Sequence, residues 1–148
     1  MEDPYRLSRF VNAQNRNGTY KQVIAELRTG RKVTHWMWYI FPQVQGLGRS
    51  PMANEYAIVS LAEAQAYLRH PLLGPRLTEC AQLLLAIDGK DAPAILGSID
   101  AIKLRSSMTL FARADPQQTV FRQVLDRYFQ GSEDPETIKR LGGAGTGR

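Results

Sequence analysis

Val33-Thr34-His35-Trp36-Met37-Trp38-Tyr39-Ile40-Phe41 is the stretch on which the fold turns. Apolar residues occupy both faces of it under either periodicity, so spacing alone does not separate a buried strand from a short buried helix. Two neighbours favour the helix. Thr34 offers an N-terminal cap, and Pro42 stops the segment by withholding an N–H. A lone strand would also need a partner, and no second convincing strand is found elsewhere in the chain. The expected class is therefore all-α.

The rest of the chain reads as a series of helix starts. Asp3-Pro4, Ser50-Pro51, Asp115-Pro116 and Asp134-Pro135 each pair a capping side chain with a proline suited to the first helical turn. Ser60-Leu61-Ala62-Glu63 is a capping box, and Asp91 and Ser98 are further starts. Thr19 opens a helix that Gly30 closes, and Pro75 opens one with Leu77, Cys80, Ala81, Leu84 and Ile87 on one face. In the helix from Ser98 the expected apolar positions are Ile99, Ile102, Leu104, Met108 and Phe111. Val120, Phe121, Val124, Leu125 and Tyr128 give the cleanest amphipathic pattern in the chain. The expected architecture is one domain over 1–142, a compact array of about eight short helices resembling an α-α superhelix, with a flexible tail over 143–148.

Composition bounds the function. The 148 residues are 43% hydrophobic and 22% charged, ordinary for a soluble globular domain. The net charge of +5 is scattered. Its tightest group, Arg28, Arg31 and Lys32, is shorter than the runs that mark nucleic-acid patches, so nucleic acid is not the expected partner. No signal peptide and no membrane-length apolar run is read, which suggests a cytoplasmic, bacterial-type protein without membrane contact. Cys80 stands alone and excludes an intrachain disulfide. His35 and His70, without paired carboxylates nearby, give no metal site, and no cofactor is expected.

Five segments together are distinctive: His35 to Gln43, Gly46 to Ser50, His70 to Gly74, Lys103 to Phe111, and Val124 to Phe129. On them the chain resembles, from Tyr5 to Leu141, the bacterial family catalogued as domain of unknown function 1810. Some members of that family carry the label calpastatin. That inhibitor is an extended, disordered polypeptide, whereas this chain is patterned for a folded core. The resemblance implies an all-α fold of the α-α superhelix kind and no established catalytic residue.

The candidate site is built around the opening stretch. On a helix, His35, Trp38 and Tyr39 share a face while Trp36 looks elsewhere. One reading makes the aromatics core; the other makes them a wall that stacks on a planar ligand. Aromatic clusters are usually packing, which favours the first reading; the next loop, Gly46-Leu47-Gly48-Arg49-Ser50-Pro51, raises the second. Its glycines allow backbone N–H groups to approach an anion, and Arg49 adds a two-pronged donor. Asp100, Lys103 and Ser107 form a polar stripe on an otherwise apolar helix, read either as a surface ion pair or, at Lys103, as a ligand contact. The candidate ligand-binding residues are therefore His35, Trp36, Trp38, Tyr39, Gly46, Gly48, Arg49, Ser50 and Lys103. His35 is the only plausible proton-transfer group. The expected activity is binding of a small anionic, planar ligand such as a nucleotide or an ADP-ribose-like metabolite. The alternative is a helical module that docks a protein partner without catalysis.

Overall fold

The computed structural model describes residues 3–142. Its helices are α1 (Ser8–Asn15), α2 (Thr19–Thr29), α3 (Met37–Ile40), α4 (Pro51–Glu55), α5 (Leu61–Arg69), α6 (Leu73–Ala86), α7 (Ala92–Leu96), α8 (Ser98–Ala114), α9 (Val120–Phe129) and α10 (Pro135–Arg140). Extended pairing among the described residues is one isolated parallel bridge, Val44 with Ile58. The all-α expectation holds. Among the described residues ten α-helical segments stand against the about eight expected; α3, α4 and α7 are turns of four or five residues. The tail at 143–148 lies outside the described residues.

Side-chain caps explain four of the ten starts among the described residues. Ser50 Oγ accepts from Ala53 N (3.1 Å), Ser60 Oγ from Glu63 N (3.1 Å), Asp91 Oδ1 from Ala94 N (2.9 Å) and Asp134 Oδ2 from Thr137 N (3.2 Å). Each satisfies a first-turn N–H that the helix cannot. Gly30, at φ 79°, closes α2 in the left-handed conformation that costs glycine least.

Several boundaries differ from the sequence reading, each for a local reason. Asp3 does not start a helix. Its carboxylate reaches forward over a turn to accept from the N–H groups of Leu7 (2.7 Å) and Ser8 (3.0 Å), so α1 begins at Ser8. Helix α6 begins at Leu73 rather than Pro75, because His70 Nδ1 accepts from the N–H groups of Leu72 (3.1 Å) and Leu73 (3.3 Å). The helix that Ser50-Pro51 starts ends at Glu55, and Ile58 N donates to Gln43 O (2.9 Å). Pro116 lies in a turn, and α9 begins at Val120.

The deciding stretch is helical only over Met37–Ile40. Val33 to Trp36 are held away from helix by Glu26 of α2. Its carboxylate accepts from Val33 N (2.7 Å), Thr34 N (3.1 Å), Thr34 Oγ1 (2.6 Å) and Trp36 Nε1 (2.9 Å). Thr34 thus bonds Glu26 instead of capping α3, a consequence of tertiary structure that spacing does not carry.

One hydrophobic cluster runs through the helices and includes Phe10, Leu27, Trp36, Tyr67, Leu77, Leu104, Met108, Phe111 and Phe121. Helix α8 lies against α5, α7, α9 and α10. At about 100° per residue its inward stripe passes through Ala101, Leu104, Met108 and Phe111. Ile99 and Ile102, expected in that stripe, fall off it and are 70% and 68% exposed.

Candidate functional site

A cleft of about 350 Å³ opens between the segment from Lys32 to Trp38 and the junction of α7 with α8. Its first wall carries Lys32, His35, Met37 and Trp38; the facing wall carries Leu96 to Asp100 and Lys103. The Glu26 carboxylate described above builds the first wall. By fixing Val33, Thr34 and Trp36, it presents His35 and Trp38 outward while Trp36, 1% exposed, stays in the core. Burial pushes the Glu26 carboxyl up. The hydrogen bonds from Thr34, Val33, Gln22 and Trp36 outweigh that and hold it down at about 2. Lys32 N donates to Ile95 O (2.7 Å), which ties this wall to α7.

Charge crosses the cleft through Asp100. Its carboxylate pairs with Lys32 Nζ at 2.9 Å and with Lys103 Nζ at 3.4 Å. Lys32 Nζ also sits 5.0 Å from the Trp36 ring centroid, and Lys103 Nζ 5.3 Å from that of Trp38. Each ammonium therefore meets both a carboxylate and an aromatic face. Two lysines against one carboxylate leave the lining cationic. Gly97 at the start of α8 makes no side-chain cap, so the first N–H groups of that helix have no internal acceptor where Ser98 and Ile99 line the cleft.

The structure brings together three of the nine sequence-derived candidates: His35, Trp38 and Lys103. The other six lie elsewhere. Trp36 is core. Tyr39 is half-buried and packs on Tyr56, with ring centroids 5.3 Å apart. Ser50 caps α4. Gly46 lies under the guanidinium of Arg140, and Gly48 against Ala53, so α10 and α4 take up the close approach that those glycines permit. Arg49 is exposed and is not in the cleft wall. The expected union of the arginine loop with the indoles is not what the fold makes.

Sequence reasoning missed Lys32, Met37, Leu96, Gly97, Ser98 and Ile99 as cleft residues, and read Asp100 only as part of an ion pair. Weak signals existed: Lys32 belongs to the tightest basic group, and Asp100 and Lys103 to the polar stripe. Ser107, third in that stripe, is instead fully buried in the core, its Oγ without a partner among the described residues. Cys80 is buried, and burial pushes its thiol up to about 12, far from a nucleophile. Among the described residues no group of three His, Cys, Asp or Glu side chains is placed to hold a metal.

The family pattern described as protein of unknown function (DUF1810) matches residues 4–141. The chain belongs to that family. In the crystal structure of a conserved hypothetical protein from Mycobacterium tuberculosis, the same fold recurs with a TM-score of 0.92 and 51% sequence identity. The match covers 95% of this DUF1810 chain and 99% of the mycobacterial one. No curated protein matches the chain significantly.

Proposed function

We propose that this DUF1810 protein binds a small anionic ligand with a planar group in the cleft between Trp38 and the start of α8. The observation that carries the reading is the pairing of Trp38 with Lys103: a partly buried indole and an ammonium 5.3 Å from its ring share one opening. The indole supplies a stacking face. Lys103, Lys32 and the uncapped N–H groups of α8 supply the anion contacts. His35 at the mouth is the one side chain suited to proton transfer, should the bound molecule react. The volume lies near the lower end of the roughly 300–1,000 Å³ of ligand pockets, which favours a mononucleotide over a longer ADP-ribose-like molecule. We place this binding in the cytoplasm, where phosphorylated metabolites are met. Among the described residues no helix is long and apolar enough to cross a membrane.

Isothermal calorimetry with adenosine monophosphate tests the reading. Lys103→Ala and Trp38→Ala should each weaken binding by about tenfold, while Arg49→Ala should leave it unchanged. Absence of heat with adenosine monophosphate and with ADP-ribose, or an equal loss in the Arg49 variant, overturns it. A second reading, a helical docking module, is favoured by one observation: the exposure of Ile99 and Ile102 beside this cleft.

A further inference from the structure

We infer that this cleft, besides a small anionic ligand, takes an acidic segment of a partner protein that carries a large apolar side chain. The inference rests on the cleft reading above and adds its rim. Helix α8 buries its inward stripe fully, yet Ile99 and Ile102, one turn apart, stand 70% and 68% exposed. Ile99 lines the cleft, and Ile102 directly precedes Lys103. A free metabolite held inside the cleft would leave Ile102 in water. A chain laid across the opening and along α8 would cover it together with Ile99, and covering exposed apolar area favours docking.

Charge selects the occupant. Lys32 and Lys103 share the single carboxylate of Asp100, and Arg31 is exposed beside Lys32. A second copy of this chain docked about a two-fold axis would bring this cationic rim against itself, which like charges oppose. A nucleic-acid strand would satisfy the lysines but gain little from exposed isoleucines. An acidic peptide with one large apolar residue satisfies both: the apolar side chain enters beside Trp38 and Ile99, and its flanking carboxylates meet Lys103 and the start of α8. Those carboxylates compete with Asp100 for the two ammonium groups, so binding weakens as salt rises.

Fluorescence anisotropy on the whole chain tests this, with a fluorescein-labelled pentapeptide of four glutamates around a central phenylalanine. Controls replace the phenylalanine by alanine, or the glutamates by lysines; a further arm uses labelled oligothymidylate, and calorimetry with adenosine monophosphate runs in parallel. The expected result is binding of the acidic aromatic peptide alone among the labelled probes. Ile102→Ser should weaken the peptide by about tenfold and leave adenosine monophosphate unchanged, whereas Lys103→Ala should weaken both. Adenosine monophosphate binding without peptide binding overturns the inference and leaves the cleft reading standing. Silence from both overturns both. Preference for oligothymidylate, or a peptide indifferent to Ile102→Ser, overturns the inference.

Discussion

At the scale of single residues, Glu26 decides the most. It is buried, accepts from two backbone N–H groups, a hydroxyl, an indole and the Gln22 amide, and among the described residues no cation pairs with it. Hydrogen bonds to the charged form are the whole compensation for its burial. Its folded pKa is held at about 2, below the 4.5 of a free glutamate. The unfolded chain therefore takes up this proton first as pH falls. The stability it contributes is full above about pH 4.5, declines between there and about pH 2, and amounts to about 3 kcal/mol over that window. Urea midpoints measured from pH 7 to pH 2.5 should show this loss, and Glu26→Gln, less stable at pH 7, should show a shallower one. An equal slope in the variant would mean that other carboxylates govern the acid limb. Gly74 makes a different single-residue demand. A Cβ there would collide with the Leu68 carbonyl oxygen, backbone that has no room to yield. Gly74→Ala should cost about 2 kcal/mol or more in chemical denaturation despite alanine's better helix propensity; a neutral result would mean that α5 and α6 slide apart freely.

At the scale of elements, capping chemistry was the legible part of the sequence. Ser50, Ser60, Asp91 and Asp134 cap where their spacing places them, since a cap is decided within four residues. Boundaries moved where another side chain took the backbone N–H groups first: Asp3 that of Leu7, His70 those of Leu72 and Leu73, and Glu26 those of Val33 and Thr34. Asp134 shows a cap with a second, non-local task. Its Oδ2 accepts from Thr137 N and Oγ1 in α10 and from Ser106 Oγ (2.9 Å) in α8, and its N–H donates to Thr109 Oγ1 (2.9 Å). The side chain thus fastens α10 to α8 as well as starting it. Asp134→Ala should cost about 2–3 kcal/mol, more than the roughly 1 kcal/mol of an ordinary cap, and should speed proteolysis near α10 before global unfolding. Ser60→Ala is the comparison, because among the described residues Ser60 Oγ bonds only within its own first turn. Equal losses in the two variants would leave the fastening role without support.

At the scale of the molecule, the class was readable and the candidate cleft only in part, since three of its ten lining residues were among the candidates. His35, Trp38 and Lys103 carry unusual chemistry in unusual positions, and the fold gathers them. Arg49 carried the same signal, yet the chain between Phe41 and Pro51 leads it away from the indoles. Proximity in sequence is no guide to proximity across helices, and Lys32 met Lys103 through an aspartate 68 positions distant in the chain. The two tryptophans now separate core from cleft within two residues of each other, which makes a physical test available. Trp36 is sealed by the core and bonded to Glu26, while Trp38 borders the opening. Acrylamide should quench one emission component and spare the other. Trp38→Phe should leave a protein whose remaining fluorescence resists quenching, and Trp36→Phe should leave one that quenches readily if it folds. An anionic ligand seated in the cleft covers Trp38, so adenosine monophosphate should lower the quenching constant of the native protein toward that of the Trp38 variant and leave the variant itself unchanged. Quenching shared equally by the two rings would place Trp38 inside the packed interior and remove the wall on which the cleft depends.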